Sequence, residues 1–109
     1  MRLKDFVEKY QLKVITAGEL PDREVEGCYI GDLLSWVMSK AQKDNVWITV
    51  QTNANIVAVA SLTDAACVIV SEGIEIEEST VRKAEMQDVV LLSSPKTSYE
   101  IAKEICAQI

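Results

Sequence analysis

The chain has 109 residues, of which 49% are hydrophobic and 26% are charged, and this composition predicts one folded soluble domain rather than a disordered segment. The formal net charge is −6 and the basic residues are scattered. We therefore expect no nucleic-acid partner, because phosphate backbones are bound by clustered Lys and Arg.

No apolar run approaches the roughly 20 residues of a membrane helix, and the N-terminal residues contain no apolar leader core. We therefore expect no membrane partner and a cytoplasmic location.

The first half of the chain predicts two helices and two short strands. Apolar residues recur at helical spacing over residues 3–10, and short apolar runs predict strands at 14–16 and 25–30. Asp32 follows a glycine at the end of the second strand. Its carboxylate is expected to cap a helix over residues 33–41, because such a side chain accepts hydrogen bonds from the first helical turn.

The second half alternates strands with helices. Strands are predicted at 46–50, 66–70 and 89–92, and helices over 53–62, over 75–86 and from Thr97 onward. Asn53 or Asn55 is expected to cap the first of these helices, which is apolar on nearly every side. Such a helix is either deeply buried or used in association. Thr97 and Glu100 fit a capping box at the start of the last helix.

Strands that alternate with helices favour parallel pairing through crossover connections. We therefore predict a single domain over residues 1–109, built as a three-layer α/β/α sandwich with a largely parallel central sheet.

Polar loops follow three of the predicted strands: Gln51-Thr52-Asn53, Ser71-Glu72-Gly73 and Ser93-Ser94. The carboxyl ends of parallel strands share one edge of a sheet, where hydroxyl and N–H groups can converge on a ligand. Turn and capping chemistry accounts for each residue alone. Together they predict a shallow site for a small anionic ligand, with these candidate residues: Asp32, Thr52, Asn53, Asn55, Ser71, Glu72, Gly73, Ser93, Ser94 and Thr97.

Most catalytic chemistries lack their residues in this chain. With no histidine, a Ser-His-Asp or Cys-His mechanism is excluded, and no glycine is followed by the lysine of a phosphate-binding loop. The three cysteines are widely spaced and are expected to be buried thiols rather than metal ligands or a disulfide. We expect no metal, no cofactor and no catalytic residues. An enzyme that uses Asp32 or Glu72 is the least favoured interpretation.

Two segments, Asp22-Arg23-Glu24-Val25-Glu26-Gly27 and Gly31-Asp32-Leu33-Leu34, together with the order of the polar strand ends, make the chain similar to the DRTGG domain. The resemblance covers essentially the whole chain and implies a fold related to the N-terminal domain of HPr kinase/phosphorylase. It is strongest to small stand-alone bacterial DRTGG proteins. DRTGG modules also occur within some phosphotransacetylases and some CBS-domain pyrophosphatases.

The motifs that give the family its name are altered here. Gln51-Thr52-Asn53 stands where the family has Gly-Asp-Arg, and Ser71-Glu72-Gly73 stands where it has Thr-Gly-Gly. Thr97 corresponds to the late threonine of the family pattern. The resemblance, together with the missing catalytic groups, implies a non-catalytic regulatory or interaction module that forms a homodimer and senses a nucleotide or a small phosphorylated metabolite. The alternative is an accessory subunit of a partner enzyme, a kinase or a metabolic enzyme, with no ligand of its own.

Overall fold

The computed structural model describes residues 1–109 and contains five helices and five strands. In chain order they are α1 (Leu3–Lys9), β1 (Lys13–Val14), β2 (Cys28–Ile30), α2 (Leu34–Lys40), β3 (Val46–Thr49), α3 (Asn55–Thr63), β4 (Cys67–Val70), α4 (Glu78–Met86), β5 (Leu91–Ser93) and α5 (Ser98–Ile105). None of these helices has both the length and the apolar character that crossing a bilayer requires.

The five strands form one sheet in the order β1-β5-β4-β3-β2. Strands β2 to β5 are parallel, and β1 runs antiparallel to β5. Helices α2, α3 and α4 pack on one face of the sheet, and α1 and α5 pack on the other. The predicted three-layer α/β/α sandwich with a largely parallel sheet is therefore confirmed.

Alternate residues of the central strands supply two separate cores. In β3, Trp47 faces the three-helix layer while Val46 and Ile48 face the two-helix layer, and all three are fully buried. Strands covered on both faces need this continuous apolar character, which is what the sequence shows. The indole N–H of Trp47 donates to the carbonyl of Gly31 at 2.9 Å, so its burial leaves no polar atom without a partner.

Helix α3 is apolar because it is the middle helix of its layer. It packs between α2 and α4 and against the sheet, and Ile56, Val57 and Val59 are buried there. Of the two roles that its composition allowed, burial is the one observed. The composition of α3 therefore gives no support to an interface on this helix.

Asp32 does not cap α2, contrary to the prediction. The helix begins at Leu34, and no side chain bonds to its first turn. The Asp32 carboxylate instead accepts hydrogen bonds from the Thr49 hydroxyl at 2.8 Å and from the backbone N–H of Val50 at 2.9 Å. It therefore links the end of β2 to the end of β3, since these neighbouring strands finish at the same edge.

The cysteine prediction was wrong at two of three positions. Cys67 lies in the central strand β4 and is buried, and that burial raises the pKa of its thiol. Cys28 is exposed because β2 is the outermost strand, and Cys106 is exposed because it follows the last turn of α5. All three thiols are free.

Arg23 links the loops at the end of the sheet where the parallel strands begin. Its guanidinium pairs with the carboxylate of Asp44 before β3, and with the carboxylate (3.2 Å) and carbonyl (2.9 Å) of Asp64 before β4. Both aspartates have left-handed backbone conformations, with φ of 66° and 54°. One cation thus fixes two tight turns that set the starts of the two central strands.

Replacing Arg23 with methionine should lower the free energy of unfolding by about 1.5–3 kcal/mol, the usual range for hydrogen bonds to charged groups, because two neighbouring carboxylates lose their shared cation. Urea denaturation followed by circular dichroism measures the change. Arg82→Met is the matched control, since Arg82 pairs only with Glu78 on the exposed face of α4. Equal losses for the two variants would contradict the structural role given to Arg23.

Candidate functional site

The structure brings the ends of the four parallel strands to one edge of the sheet, which we call the carboxyl edge. Asp32 follows β2, residues 51–53 follow β3 and residues 71–73 follow β4. Ser93 is the last residue of β5, and Ser94 follows it. Because neighbouring strands lie about 4.8 Å apart, these segments form a row rather than a single ring. The candidate residues therefore divide into two groups, one at β2 and β3 and one at β4 and β5.

The first group is linked by its own hydrogen bonds. The amide of Gln51 donates to the carbonyl of Asp32 at 3.1 Å, and the amide of Asn53 donates to the side-chain oxygen of Gln51 at 3.2 Å. The side-chain oxygen of Asn53 accepts from the backbone N–H of Asn55 at 2.9 Å in a turn that leads into α3. The predicted cap by Asn53 or Asn55 is not formed, because Ala54 occupies the N-cap position and no side chain caps this helix. These polar groups hold the loop after β3 in place.

Thr52 anchors the same loop to the neighbouring helix. Its carbonyl accepts a hydrogen bond of 2.8 Å from the hydroxyl of Thr80, a fully buried residue of α4. The connection after β3 is thus fixed to the helix that follows β4.

A different geometry occurs between β4 and β5. The chain leaves β4 toward α4 on one face of the sheet, and it leaves β5 toward α5 on the other face. Adjacent parallel strands whose loops diverge in this way open a crevice, which is the usual place for a ligand in such folds. The second group of candidates lies at this point.

Hydrogen bonds between the two loops close the centre of that crevice. The N–H of Gly73 donates to the carbonyl of Ser94 at 2.9 Å, and the N–H of Glu72 donates to the carbonyl of Lys96 at 2.8 Å. The hydroxyl of Ser71, which is fully buried, lies 2.8 Å from that of Ser98. Ser71 therefore belongs to the packing between the two loops rather than to an open surface.

Thr97 forms the predicted capping box of α5. Its hydroxyl accepts from the N–H of Glu100 at 3.1 Å, and the carboxylate of Glu100 accepts from the N–H of Thr97 at 3.1 Å. The backbone and hydroxyl of Thr97 hold the pKa of the Glu100 carboxyl below its ordinary value. The side chain of Thr97 is thus already engaged in starting the helix.

An open groove of about 400 Å³ lies beside the closed crevice, on the side of β1. It is lined by Lys13, Ile15, Gly73, Ile74, Glu75, Ile76 and Ser93. We call it the β1 groove. Gly73 and Ser93 are the two predicted site residues that line it, and the other candidates line none of the cavities of the structure.

Lys13 lines the β1 groove, although the sequence did not indicate it as a site residue. Strand β1 runs antiparallel to β5 and pairs Lys13 with Ser93, so the start of β1 lies at the carboxyl edge. The ammonium of Lys13 forms no ion pair, and the hydroxyl of Ser93 makes no hydrogen bond within the protein. A two-residue strand leaves no pattern from which this direction of pairing could be predicted.

Gly73 contributes backbone to the lining of the β1 groove. Its φ of +66° favours glycine, and a β-carbon at this position would lie 3.6 Å from the backbone of Pro95. The groove thus combines one cation and one free hydroxyl with the apolar side chains of Ile15 and Ile76. This is the arrangement by which a pocket orients a partly apolar anion.

Comparison with known proteins gives a family and a related structure. The sequence model of the DRTGG domain family matches residues 5–107. The structure resembles the crystal structure of the CBS and DRTGG domains of the regulatory region of Clostridium perfringens pyrophosphatase, complexed with its activator diadenosine tetraphosphate. The TM-score is 0.70 at 12% identity, and the match covers 93% of this chain and 44% of that one. No curated protein matches the chain.

At this identity the likeness to the pyrophosphatase region demonstrates a shared fold. The chain spans less than half the length of that regulatory region.

The capping box predicts a pH-dependent contribution of Glu100 to stability. A carboxyl whose pKa is lowered in the folded protein stabilises it above the unfolded pKa, and this contribution is lost as pH falls through the folded pKa. Glu100→Gln should therefore lower the urea midpoint at pH 7, and the difference from the unaltered protein should shrink toward pH 3. Glu8→Gln, an exposed change in α1, is the control. A difference that persists unchanged at pH 3 would contradict this assignment.

Proposed function

The chain belongs to the DRTGG domain family, and we propose that it acts as a non-catalytic, cytoplasmic regulatory module that forms a homodimer and binds a small anionic metabolite or nucleotide in the β1 groove. Lys13 supplies the charge, Ser93 supplies a hydrogen bond, and Gly73 contributes backbone to the lining. The remaining candidates at the carboxyl edge position the loops around the groove.

The observation that carries this proposal is the free cation beside a free hydroxyl in an open groove. A lysine ammonium is a strong donor to phosphate oxygens, and it attracts an anion most where no carboxylate neutralises it. Lys13 forms no ion pair, although Glu75 also lines the groove. In a protein of net charge −6, a single uncompensated lysine favours a ligand with one phosphate group over a polyphosphate.

The volume of the β1 groove and its apolar side chains support a ligand with an apolar part. A groove of about 400 Å³ falls in the range of small-molecule sites. Ile15 and Ile76 offer apolar contact to a base or a sugar, so a nucleoside monophosphate or a sugar phosphate suits the site. A nucleotide also activates the pyrophosphatase whose regulatory region shares the fold, which supports a regulatory role here.

The absence of catalysis is part of the proposal and is supported by the engagement of the candidate carboxylate. Asp32 uses one carboxylate oxygen to join β2 and β3, and it does not line the β1 groove. A general base must reach the proton that it removes from a bound substrate. Neither Asp32 nor Glu72 lines the groove in which the ligand is proposed to bind.

A thermal-shift screen of nucleoside monophosphates and sugar phosphates tests the ligand. A specific ligand at one hundred times its Kd should stabilise the protein by about 2.7 kcal/mol, which for a domain of this size raises Tm by roughly 10 °C. Lys13→Gln should weaken that ligand at least about tenfold, because a hydrogen bond to a charged group is lost. Ser93→Ala should weaken it less.

Two control variants test whether the ligand binds in the β1 groove or elsewhere on the protein. Lys83→Gln removes an equal charge from α4, away from the groove, and Thr52→Ala alters the carboxyl edge at β3. Both should leave the affinity near that of the unaltered protein. If no anion shifts Tm, the accessory-subunit alternative without a ligand is favoured. If Thr52→Ala weakens binding as much as Lys13→Gln, the ligand lies along the strand ends instead of in the β1 groove.

A further inference from the structure

Strand β2 is an open edge of the sheet with free backbone hydrogen-bonding groups. The carbonyl of Gly27 accepts from Val46 at 3.0 Å, and the N–H of Gly31 donates to Ile48 at 3.1 Å, so these odd-numbered residues bond to β3. Successive residues of a strand direct their backbone groups to opposite sides. The N–H and C=O groups of Cys28 and Ile30 therefore point away from the sheet.

This edge lacks the features that usually prevent pairing with another strand. Residues 27–31 contain no charged side chain and no proline, whereas the opposite edge strand, β1, has only two residues and carries Lys13. Natural sheets commonly protect their edges with charges, proline or very short strands. A charge within the strand is thus present at β1 and missing at β2, whose three residues lie between Glu26 and Asp32.

Exposed apolar side chains flank the β2 edge on both faces of the sheet. Ile30, which is 49% exposed, faces the two-helix layer. In the three-helix layer, α2 lies beside β2 as the outermost helix, and its outer stripe consists of Leu33 and Trp36, 62% and 59% exposed. We call the exposed backbone of β2 with Ile30, Leu33 and Trp36 the β2-edge surface.

We propose that the β2-edge surface is the homodimer interface and that its occupant is the β2 strand of a second copy, paired antiparallel about a two-fold axis at Tyr29. In this register Cys28 of one copy lies opposite Ile30 of the other. The outward N–H and C=O groups of both residues then form four hydrogen bonds across the axis. The two sheets join into one continuous sheet. This inference rests on the homodimer in the proposed function and specifies its interface.

A second copy fits this surface better than an unrelated partner because the surface is complementary to itself. An isologous interface places the same patch on both subunits. About the two-fold axis at Tyr29, Cys28 of each copy lies opposite Ile30 of the other. Two copies that each carry a net charge of −6 repel one another. In this register Glu26 of one copy lies opposite Asp32 of the other, so the dimer should become tighter as the ionic strength rises. The ammonium of Lys40 lies 6.0 Å from the indole ring of Trp36.

The size of the surface indicates a reversible dimer. Three exposed apolar side chains and a three-residue strand bury a few hundred Å² per copy, below the roughly 800 Å² of a stable interface. We therefore expect a dissociation constant of low micromolar or weaker, so that the dimer dissociates on dilution.

Sedimentation velocity over a protein concentration series tests the interface. The unaltered chain should approach twice its mass of 12.1 kDa at the highest concentrations. Ile30→Lys and Trp36→Lys should each give the mass of one chain at the same concentrations, because each places a charge within the apolar part of the contact. Met86→Lys is the matched control, since Met86 is an 81% exposed apolar residue at the far end of α4, and it should leave the dimer intact. Circular dichroism confirms that each variant is folded.

Cross-linking tests the register. Residues directly opposite in a non-hydrogen-bonded antiparallel pair have α-carbons about 4.5 Å apart, within the range of a disulfide. Tyr29→Cys, combined with Cys28→Ser and Cys106→Ser, should form a disulfide-linked dimer under mild oxidation, whereas Leu62→Cys on α3 in the same background should not. If Tyr29→Cys does not fold, Ile30→Cys with native Cys28 and with Cys106→Ser replaces it, and a short bismaleimide should link residues 28 and 30 of different copies.

The outcomes separate this inference from the proposed function. A single-chain mass at every concentration overturns both the interface and the proposed homodimer, while a ligand-induced rise in Tm is unaffected by that result. A dimer that survives both Ile30→Lys and Trp36→Lys, or that gives no cross-link at residue 29 or 30, overturns the interface alone.

Discussion

The structure depends on the burial of β3 and β4 on both faces. Each of these strands directs alternate side chains into two different cores, so neither layer of helices can be removed without exposing a row of Val, Ile or Trp side chains. Parallel strands also require a crossover between one and the next, and here three successive crossovers, α2, α3 and α4, cover the same face. This arrangement fixes which strand ends share an edge and makes α3 the central helix of its layer.

The position of the β1 groove follows from the change of face after β5, where the run of crossovers on one face ends. After β5 the chain crosses to the opposite face as α5, so a crevice arises beside β4. The chain then closes the centre of the crevice with backbone hydrogen bonds from Glu72 and Gly73. Open space is left only toward β1, whose reversed direction brings Lys13 to the same edge as Ser93. The groove is thus a consequence of the antiparallel strand at the end of a parallel sheet.

The features that could be predicted from the sequence are those determined by a few consecutive residues. The apolar runs of β3 and β4, the apolar helix α3 and the capping box at Thr97 are determined within a few residues, and the structure contains all of them. The bond from Asp32 to Thr49 joins residues on different strands, and the pairing of Lys13 with Ser93 joins distant parts of the chain. Neither leaves a periodic pattern, and the cap predicted at Asp32 failed because a neighbouring strand offered its carboxylate better donors. The exposure of Cys28 likewise depends on strand order, which composition does not reveal.

The two proposed surfaces lie at opposite edges of the same sheet, which restricts how they can influence one another. The order β1-β5-β4-β3-β2 places four strand spacings between the β1 groove and the β2-edge surface, or about 19 Å at 4.8 Å per spacing. Pairing through β2 therefore leaves both β1 grooves open, at the outer ends of the joined sheet. A small ligand cannot bridge the two copies, and the two surfaces are joined through the sheet and through the loops that Asp32, Thr52 and Ser71 hold in place along the carboxyl edge. In the proposed arrangement, Asp32, Thr52 and Ser71 lie between a site formed at one end of the strand order, with Gly73 and Ser93 in its lining, and a partner at the other end.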